Sequence, residues 1–438
     1  MKKNITPNFL FPLILLLCAT QMQAQVNPRL QTKLDQQVAE MEPQVIAWRR
    51  HFHQYPELSN RETKTGAYLA EFLKGLGLEV QYPVAKTGVV ALLKTGKPGP
   101  VIALRADIDA LPVTERNSLP FASKEKVAFN GQETGVMHAC GHDSHMAMLM
   151  GVAEILVKNK TELKGMIKFI FQPAEEGPPH GEEGGAPLMI KEGVLENPKV
   201  DVIFGQHIWA AGRVGQIWYR PGGFMAAADR FSIKVKGRQA HGSAPWMGVD
   251  PIVISAQIIA GLQTIISRQS ELTKGAAVIT VGRLNSGIRE NIIPEEATMS
   301  GTIRTFDEGM RDRIHESIKV TAMRIAESGG ATAEVETYKL GSVTYNDPAL
   351  TAKMVASLQK AVGKENAILC NAVTGAEDFA DYQKVVPGLF FFTGGTAPDK
   401  DITKVADHHT PDFMLDERAF VTGVKTMLAL TVDYMFMK

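Results

Sequence analysis

Four short apolar runs, each followed by polar loop residues, constrain this chain more than any other feature. They are VIALRADIDALP (101–112), MIKFIFQPAEEG (166–177), VDVIFGQHIWA (200–210) and GLFFFTGG (388–395). Apolarity sustained over so few residues marks strands buried on both faces. Helices fit between them, notably over 144–157 and 349–362. From Val45 to Leu78 apolar residues also recur at helical spacing, with Ala67, Leu69, Phe72, Leu73 and Leu76 on one face and Gly77 as the stop. Strands alternating with helices predict an α/β fold, an open and mostly parallel sheet with helices on both faces.

The interval 225–340 has another grammar. DRFSIKVKG alternates like a half-exposed strand, DPIVISAQIIAGLQTII is helical, AAVITVGRL and EATMSGTIRTF are strands, EGMRDRIHESIKVTAMRIAES is a helix and ATAEVETYK is a last strand. The order β-α-β-β-α-β is that of a ferredoxin-like α+β unit. The expected organisation is therefore a catalytic-type α/β domain in two parts, 25–224 and 341–438, with the smaller domain 225–340 inserted between them.

Residues 1–24 read as a signal peptide. Lys2 and Lys3 precede an apolar run from Phe9 to Leu17 that is too short to cross a bilayer, and small and polar residues lead to Ala24. No later segment reads as a membrane span, so the expected protein is exported, periplasmic or secreted. Cys18 lacks the small preceding residue of a lipid-anchoring site. Basic and acidic side chains are equal at 47 each, so no global field draws nucleic acid, and a small molecule or peptide is the expected partner. Only Cys140 and Cys370 lie beyond the signal, and two cysteines in an exported chain are able to form a disulfide.

A second use for Cys140 comes from its surroundings, MHACGHDSH (137–145). In an open α/β sheet, ligands gather beyond the carboxyl ends of the strands. Those ends carry Asp107 and Asp109, then Glu175 and Glu176, then His207, while the Cys140 loop leads into a helix and HHTPDF (408–413) follows the last strand. Thiolate, imidazole and carboxylate together suit zinc, and imidazole with carboxylate suits manganese. One of the adjacent glutamates is free to bind metal while its neighbour faces an open coordination position and takes a proton from water there. Asp143 and Ser144 read as caps of the helix that follows, Asp109 as a turn residue, and His138, His145 and His408 as structural.

The motifs MHACGHD, QPAEEG, FGQHIW, AHGSAP, RENIIPEEATMSGTIRTF, GAEDFA and HHTPDF resemble, in order and spacing, the M20 metallopeptidases over nearly the whole mature chain. The branch they resemble is the amidohydrolases of N-acyl amino acids, hippurate and auxin conjugates. The resemblance implies two divalent metal ions per subunit, zinc or manganese, bridged by Cys140. His142 and His207 would complete one ligand set, Glu176 and His409 the other. Glu175 is implied as the general base for a water between the ions. Asp107 falls where related branches keep an acidic supporting residue. Arg105 stands where those branches keep a histidine ligand, and His142 is expected to substitute for it.

The same resemblance implies a homodimer formed through the inserted domain, with His241 reaching the partner's active site to stabilise an oxyanion. It places Asn291 and Arg304 on the substrate's carboxylate, and Glu377 at the pocket wall. Taken alone, His241 reads as a loop histidine and Arg304 as a strand-surface charge. EEGPPHGEEGGAPLM adds residues after the glutamate pair relative to the branch. The expected function is exported, metal-dependent hydrolysis of N-acyl-L-amino acids. A carboxypeptidase or dipeptidase is the rival within the enzymes, and an exported binding protein without turnover the rival outside them.

Overall fold

The computed structural model describes residues 26–437; residues 1–24, read from sequence as a signal peptide, and Cys18 among them lie outside the described residues. One sheet has eight strands: β1 (Glu79–Val84), β2 (Gly88–Lys94), β3 (Val101–Asp107), β4 (Met166–Gln172), β5 (Val202–Arg213), β6 (Ile217–Tyr219), β7 (Ala367–Leu369) and β8 (Gly388–Thr396). Their spatial order is β1-β2-β4-β3-β5-β8-β6-β7. The central strands β4, β3, β5 and β8 run parallel, which puts their carboxyl ends on one edge; β1 and β2 are antiparallel and close the far side. β3, β4 and β8 are buried along almost their whole length, as their apolar runs predict.

Helices cover both faces. Pro28–Gln54, His142–Lys158 and Ala419–Phe436 share one core with Ile102, Leu104, Phe204 and Phe391. Gly185–Lys191 and Phe379–Gln383 close the other, around Ile203, Phe390 and Phe392. The helical spacing over 45–78 resolves into two helices, because Pro28–Gln54 ends at Tyr55 before Pro56 and a new helix spans Thr63–Gly75. Gly77 lies in the left-handed region just past it (φ 78°).

Short strands Gly222–Met225 and Thr344–Asn346 pair with each other where the chain leaves the large unit and returns to it. Between them, strands Ala227–Lys236, Ala277–Ser286, Glu296–Thr305 and Thr332–Gly341 form an antiparallel sheet with the third strand between the first and second, and the fourth outside the first. Helices Pro251–Thr264 and Glu308–Ser328 pack on that sheet around Ile258, Leu262, Ile314 and Ile318. This is the ferredoxin-like arrangement.

One expectation is corrected. Two helices, Pro251–Gln269 and Ala419–Phe436, are long and apolar enough to cross a membrane. Their apolarity has a local cause: Ala419–Phe436 is mostly buried within the large unit, and Pro251–Gln269 rests one face on the four-stranded sheet.

Candidate active site

The carboxyl edge of the parallel strands collects five side chains from four segments, Cys140 and His142, Glu176, His207 and His409. Gly141 turns the chain between Cys140 and the helix His142–Lys158 with φ 97°, and a Cβ there would meet Ile208 Cγ2 at 2.3 Å. Only glycine allows this turn, which delivers Cys140 and His142 to the same edge. His207 lies within β5 rather than after it, because β5 continues along β8 past the end of β3. Ala174 (φ 54°) and His409 (φ 64°) hold left-handed backbone without being glycine, strain of the kind that packing sustains at functional positions.

Cys140 Sγ lies 3.3 Å from His207 Nε2 and 3.2 Å from His409 Nε2. Glu176 Oε1 is 3.2 Å from His409 Nε2 and 3.9 Å from His142 Nε2. Glu175 comes within 3.8 Å of His142 Nε2. Supporting bonds fix which ring nitrogens face inward. His142 Nδ1 donates to the Asp109 carbonyl (2.8 Å) and lies 3.2 Å from its carboxylate, while His207 Nδ1 donates to the Ile208 carbonyl (2.5 Å). In both rings Nε2 is the nitrogen that faces the cluster; burial opposes charge on His142, but Asp107 and Asp109 raise it to about 10, so, like the Cys140 thiol, it gives up a proton to ligate a cation.

His142 Nε2 and Glu176 Oε1 are buried with no hydrogen-bond partner. Unpaired buried polar atoms are costly, and a cation shared with Cys140 would satisfy both. The donor set of one sulfur, three imidazole nitrogens and a carboxylate fits zinc, and its imidazole–carboxylate part fits manganese. Burial, then Glu176, Glu175 and Asp107, push the Cys140 thiol well above its ordinary range. The thiol is therefore protonated when no cation neighbours it, and a ligating cation has to displace that proton.

His145 and His408 are near the same atoms but have no nitrogen to offer. His145 Nδ1 donates to Asp107 Oδ1 (2.6 Å) and its Nε2 accepts from Ile208 N (2.8 Å). His408 Nδ1 donates to the Cys140 carbonyl (3.2 Å) and its Nε2 accepts from Ala210 N (3.0 Å). His138 is buried with neither nitrogen bonded, and burial holds it neutral, down to about 3.

Beneath the cluster, Arg105 is fully buried and pairs with Asp107 (2.7 Å), Glu377 (3.0 Å) and Asp378 (2.9 Å). Burial opposes ionisation of Asp107, but His142, His145 and Arg105 hold it well below the usual carboxylate range. Glu175 has no such cationic clasp. Its carboxylate lies with those of Glu377 and Asp378, and burial with Glu377, Glu176 and Asp378 pushes it well above the ordinary value. Glu377, expected at the pocket wall, is buried beside Glu175.

Asp109 carries more than a turn. Its carboxylate accepts from Ser59 Oγ (2.7 Å) and Glu176 N (3.0 Å), while its carbonyl takes the His142 proton, so one residue orients two of the five side chains. Asp143 lies inside the first turn, where Oδ1 accepts from Ser144 N (2.9 Å), and its other oxygen is buried against Arg49 (2.9 Å) and His53 (2.7 Å). Cys140 and Cys370 are both free thiols, and Cys370 sits apart against the Tyr219 carbonyl.

The remaining three residues named from sequence are in the inserted unit. His241 is exposed on the strand Ala240–His241, and its Nδ1 accepts from Ser243 N (3.1 Å) and Oγ (2.8 Å). Asn291 is exposed and its carbonyl accepts from Gly242 N (2.9 Å). Arg304 is half-buried on Glu296–Thr305. Among the described residues, no hydrogen bond or ion pair joins these three to the Cys140 cluster.

A family model described as peptidase family M20/M25/M40 matches residues 103–433, a span that contains every ligand candidate above. The chain belongs to this family. It is similar to thermostable carboxypeptidase 1 of Saccharolobus solfataricus, 40% identical over 407 residues, 92% of this chain and 98% of that one. It is also similar to N-acetyl-L-cysteine deacetylase of Bacillus subtilis, 39% identical over 381 residues, 87% of this chain and 86% of that one. Among solved structures it resembles the Bacillus subtilis YXEP protein, described as a dinuclear metal-binding peptidase of the M20 family. The TM-score is 0.75 at 35% identity, covering 91% of this chain and 100% of that one. As an M20 member the chain is a metal-dependent hydrolase of carbon–nitrogen bonds, and its cluster has the donors for the metal.

Proposed function

We propose that this M20 enzyme is an exported amidohydrolase that cleaves N-acyl-L-amino acids, using two divalent cations, zinc or manganese. The observation that carries the reading is the convergence of five donor atoms beside a glutamate, Glu175, that pairs with no arginine or lysine among the described residues and approaches His142 at 3.8 Å. Cys140 would be shared between the ions, with His142 and His207 on one and Glu176 and His409 on the other. Bound there, divalent cations supply Lewis acidity that polarises the amide carbonyl and makes water easier to deprotonate.

The protein's own groups do the rest. Glu175, made more basic by burial and the adjacent carboxylates, is suited to take a proton from attacking water and return it to the departing amine nitrogen. His241 receives the Ser243 N–H at Nδ1, so the neutral ring carries its proton on Nε2, a donor for a developing oxyanion. Its exposure in the inserted unit supports a homodimer in which it serves the partner's site. Arg304 has no acidic partner among the described residues; its one hydrogen bond is 3.4 Å to the Ile303 carbonyl. An unpaired guanidinium is matched to the substrate's carboxylate, with Asn291 alongside.

Carboxypeptidase or dipeptidase action is the second reading, favoured by the similarity to the Saccharolobus carboxypeptidase. A substrate panel on zinc- and manganese-loaded protein separates the two. N-benzoylglycine and N-acetyl amino acids should be cleaved at least about tenfold faster than dipeptides of the same C-terminal residue. Faster dipeptide cleavage would transfer the assignment to the peptidase, and no turnover of either class with both ions bound would leave a binding protein.

A further inference from the structure

Glu175 stands between two backbone amides that are both held by buried carboxylates from distant parts of the chain. On one side Glu176 N donates to Asp109 Oδ2 (3.0 Å). On the other, Ala174 N donates to Glu62 Oε1 (2.9 Å). Glu62 directly precedes the helix Thr63–Gly75, has no solvent exposure and takes no part in the hydrolysis proposed above. Its second oxygen accepts from Thr87 Oγ1 (2.6 Å). Burial and then the nearby Asp109 push Glu62 up to about 7, so this carboxyl is kept where ionisation is unfavourable.

The sequence builds this contact deliberately. A Cβ on Gly66, one turn into the helix, would lie 2.2 Å from the Thr87 carbonyl, so only glycine lets the helix start approach the turn that carries Thr87. Gly66 N donates to the Glu62 carbonyl (2.8 Å), which fixes Glu62 at the mouth of the helix. The amide that Glu62 accepts belongs to a strained residue. Ala174 holds left-handed backbone (φ 54°) without being glycine, and it immediately precedes Glu175. Gly184 and Gly185 press on the same turn: a Cβ on the first would meet Ala174 Cβ at 3.1 Å, and one on the second the Ala174 carbonyl at 3.1 Å. Strain of this kind persists only where the surroundings over-determine it.

We infer that Glu62 is a positioning residue for the general base: by accepting the Ala174 amide it holds the left-handed turn that directs Glu175 toward the ligand cluster. The inference rests on Glu175 being that base. Asp109 anchors the far side of the same glutamate pair through Glu176 N, so the metal-ligand candidate keeps its own support when Glu62 is altered. Loss of the Glu62 contact should therefore disturb proton transfer and spare metal binding. A reacting group misplaced by about 1 Å costs on the order of a hundredfold in rate.

The test measures kcat, KM and metal content of metal-loaded enzyme on whichever of N-benzoylglycine and glycylglycine it cleaves. Glu62→Asp keeps the charge but withdraws the acceptor from Ala174 N; kcat should fall at least about tenfold with KM within about twofold and metal content unchanged. Glu62→Gln removes the charge but keeps an oxygen for Ala174 N, and the Thr87 hydroxyl can turn to accept from its amide; kcat should stay within about threefold of the unsubstituted enzyme. Should Glu62→Asp not fold, Thr87→Val removes the donor on Oε2 at nearly constant volume and should give the same split at about threefold or more. Combined with Glu175→Gln, Glu62→Asp should add less than about twofold, because it acts through a group already lost. Equal losses in Glu62→Asp and Glu62→Gln would assign the effect to charge and overturn the inference. So would a full additional loss in the Glu175→Gln background, or a loss that tracks metal content. Glu175→Gln impaired while Glu62→Asp and Thr87→Val keep full kcat overturns the positioning role and leaves the base standing, whereas full turnover in Glu175→Gln overturns both.

Discussion

Cys140 is 8% exposed with two imidazole nitrogens within 3.3 Å, whereas His241 is exposed and, among the described residues, its ring bonds only to Ser243, two residues away. The first belongs to a cluster in which each ligand candidate is aimed by its own chain: Gly141 turns Cys140 and His142 inward, Asp109 aligns His142 and Glu176, and the Ile208 carbonyl sets His207. The second has a defined tautomer but nothing in its own subunit to act on. Residues of the first kind are pre-organised, so their removal should abolish chemistry outright. In the proposed homodimer, residues of the second kind act only on docking, so their effect should depend on which chain carries them.

The largest effect expected is at the glutamate pair. Glu175→Gln should retain metal and lose at least about a hundredfold in turnover, the usual scale of a general base. Glu176→Gln should instead show metal loss by elemental analysis. Full activity in Glu175→Gln with its metal retained would dissolve the distinction between base and ligand.

The sharpest probe of the inserted unit mixes two inactive variants. A heterodimer of Glu175→Ala and His241→Ala has one doubly defective site and one intact site if the histidine acts across the interface. Subunit exchange at equal amounts makes about half the dimers mixed, so activity should return to about a quarter of the unsubstituted level. Activity that stays at the level of the separate variants, with the heterodimer verified by mass, would place His241 in its own subunit's chemistry.

The smallest effect concerns how the inserted unit is held together. Asp229 is bound by Arg311 (2.6 Å) and His315 (2.7 Å). Burial opposes its ionisation, but Arg311 and His315 hold it down to about 2. A depressed carboxylate stabilises fully above its unfolded value, near 3.8, and loses that contribution as pH falls toward 2. The urea midpoint of the metal-free protein should fall over that window, and Asp229→Asn should be less stable at neutral pH with a shallower fall. An Asp229→Asn variant with an unchanged acid limb would assign the loss to other carboxylates.

What the sequence discloses follows the same division. The four apolar runs and the ferredoxin-like order are legible because burial on two faces, or on one, writes itself into a local period. The ligand candidates are legible because they stand in motifs at strand ends. Asp109 was missed: its bonds reach Ser59, His142 and Glu176, and only its place two residues after Asp107 hints at them. Asp143 reads as a cap because Arg49 and His53 approach from a helix about ninety residues earlier, a contact that no local pattern records. The break at Tyr55 is visible in Pro56, yet the apolar spacing on either side masks it.

Five imidazoles crowd the Cys140 cluster, and the hydrogen bonds of His145 and His408 consume both nitrogens of each. Saturation is thereby written into the fold. A metalloprotein meets whatever zinc its surroundings contain, and a cluster with spare imidazole would keep accumulating it, trading a defined catalyst for an overfilled one. Here the two surplus rings are spent on the scaffold, so metal content should level off with rising zinc.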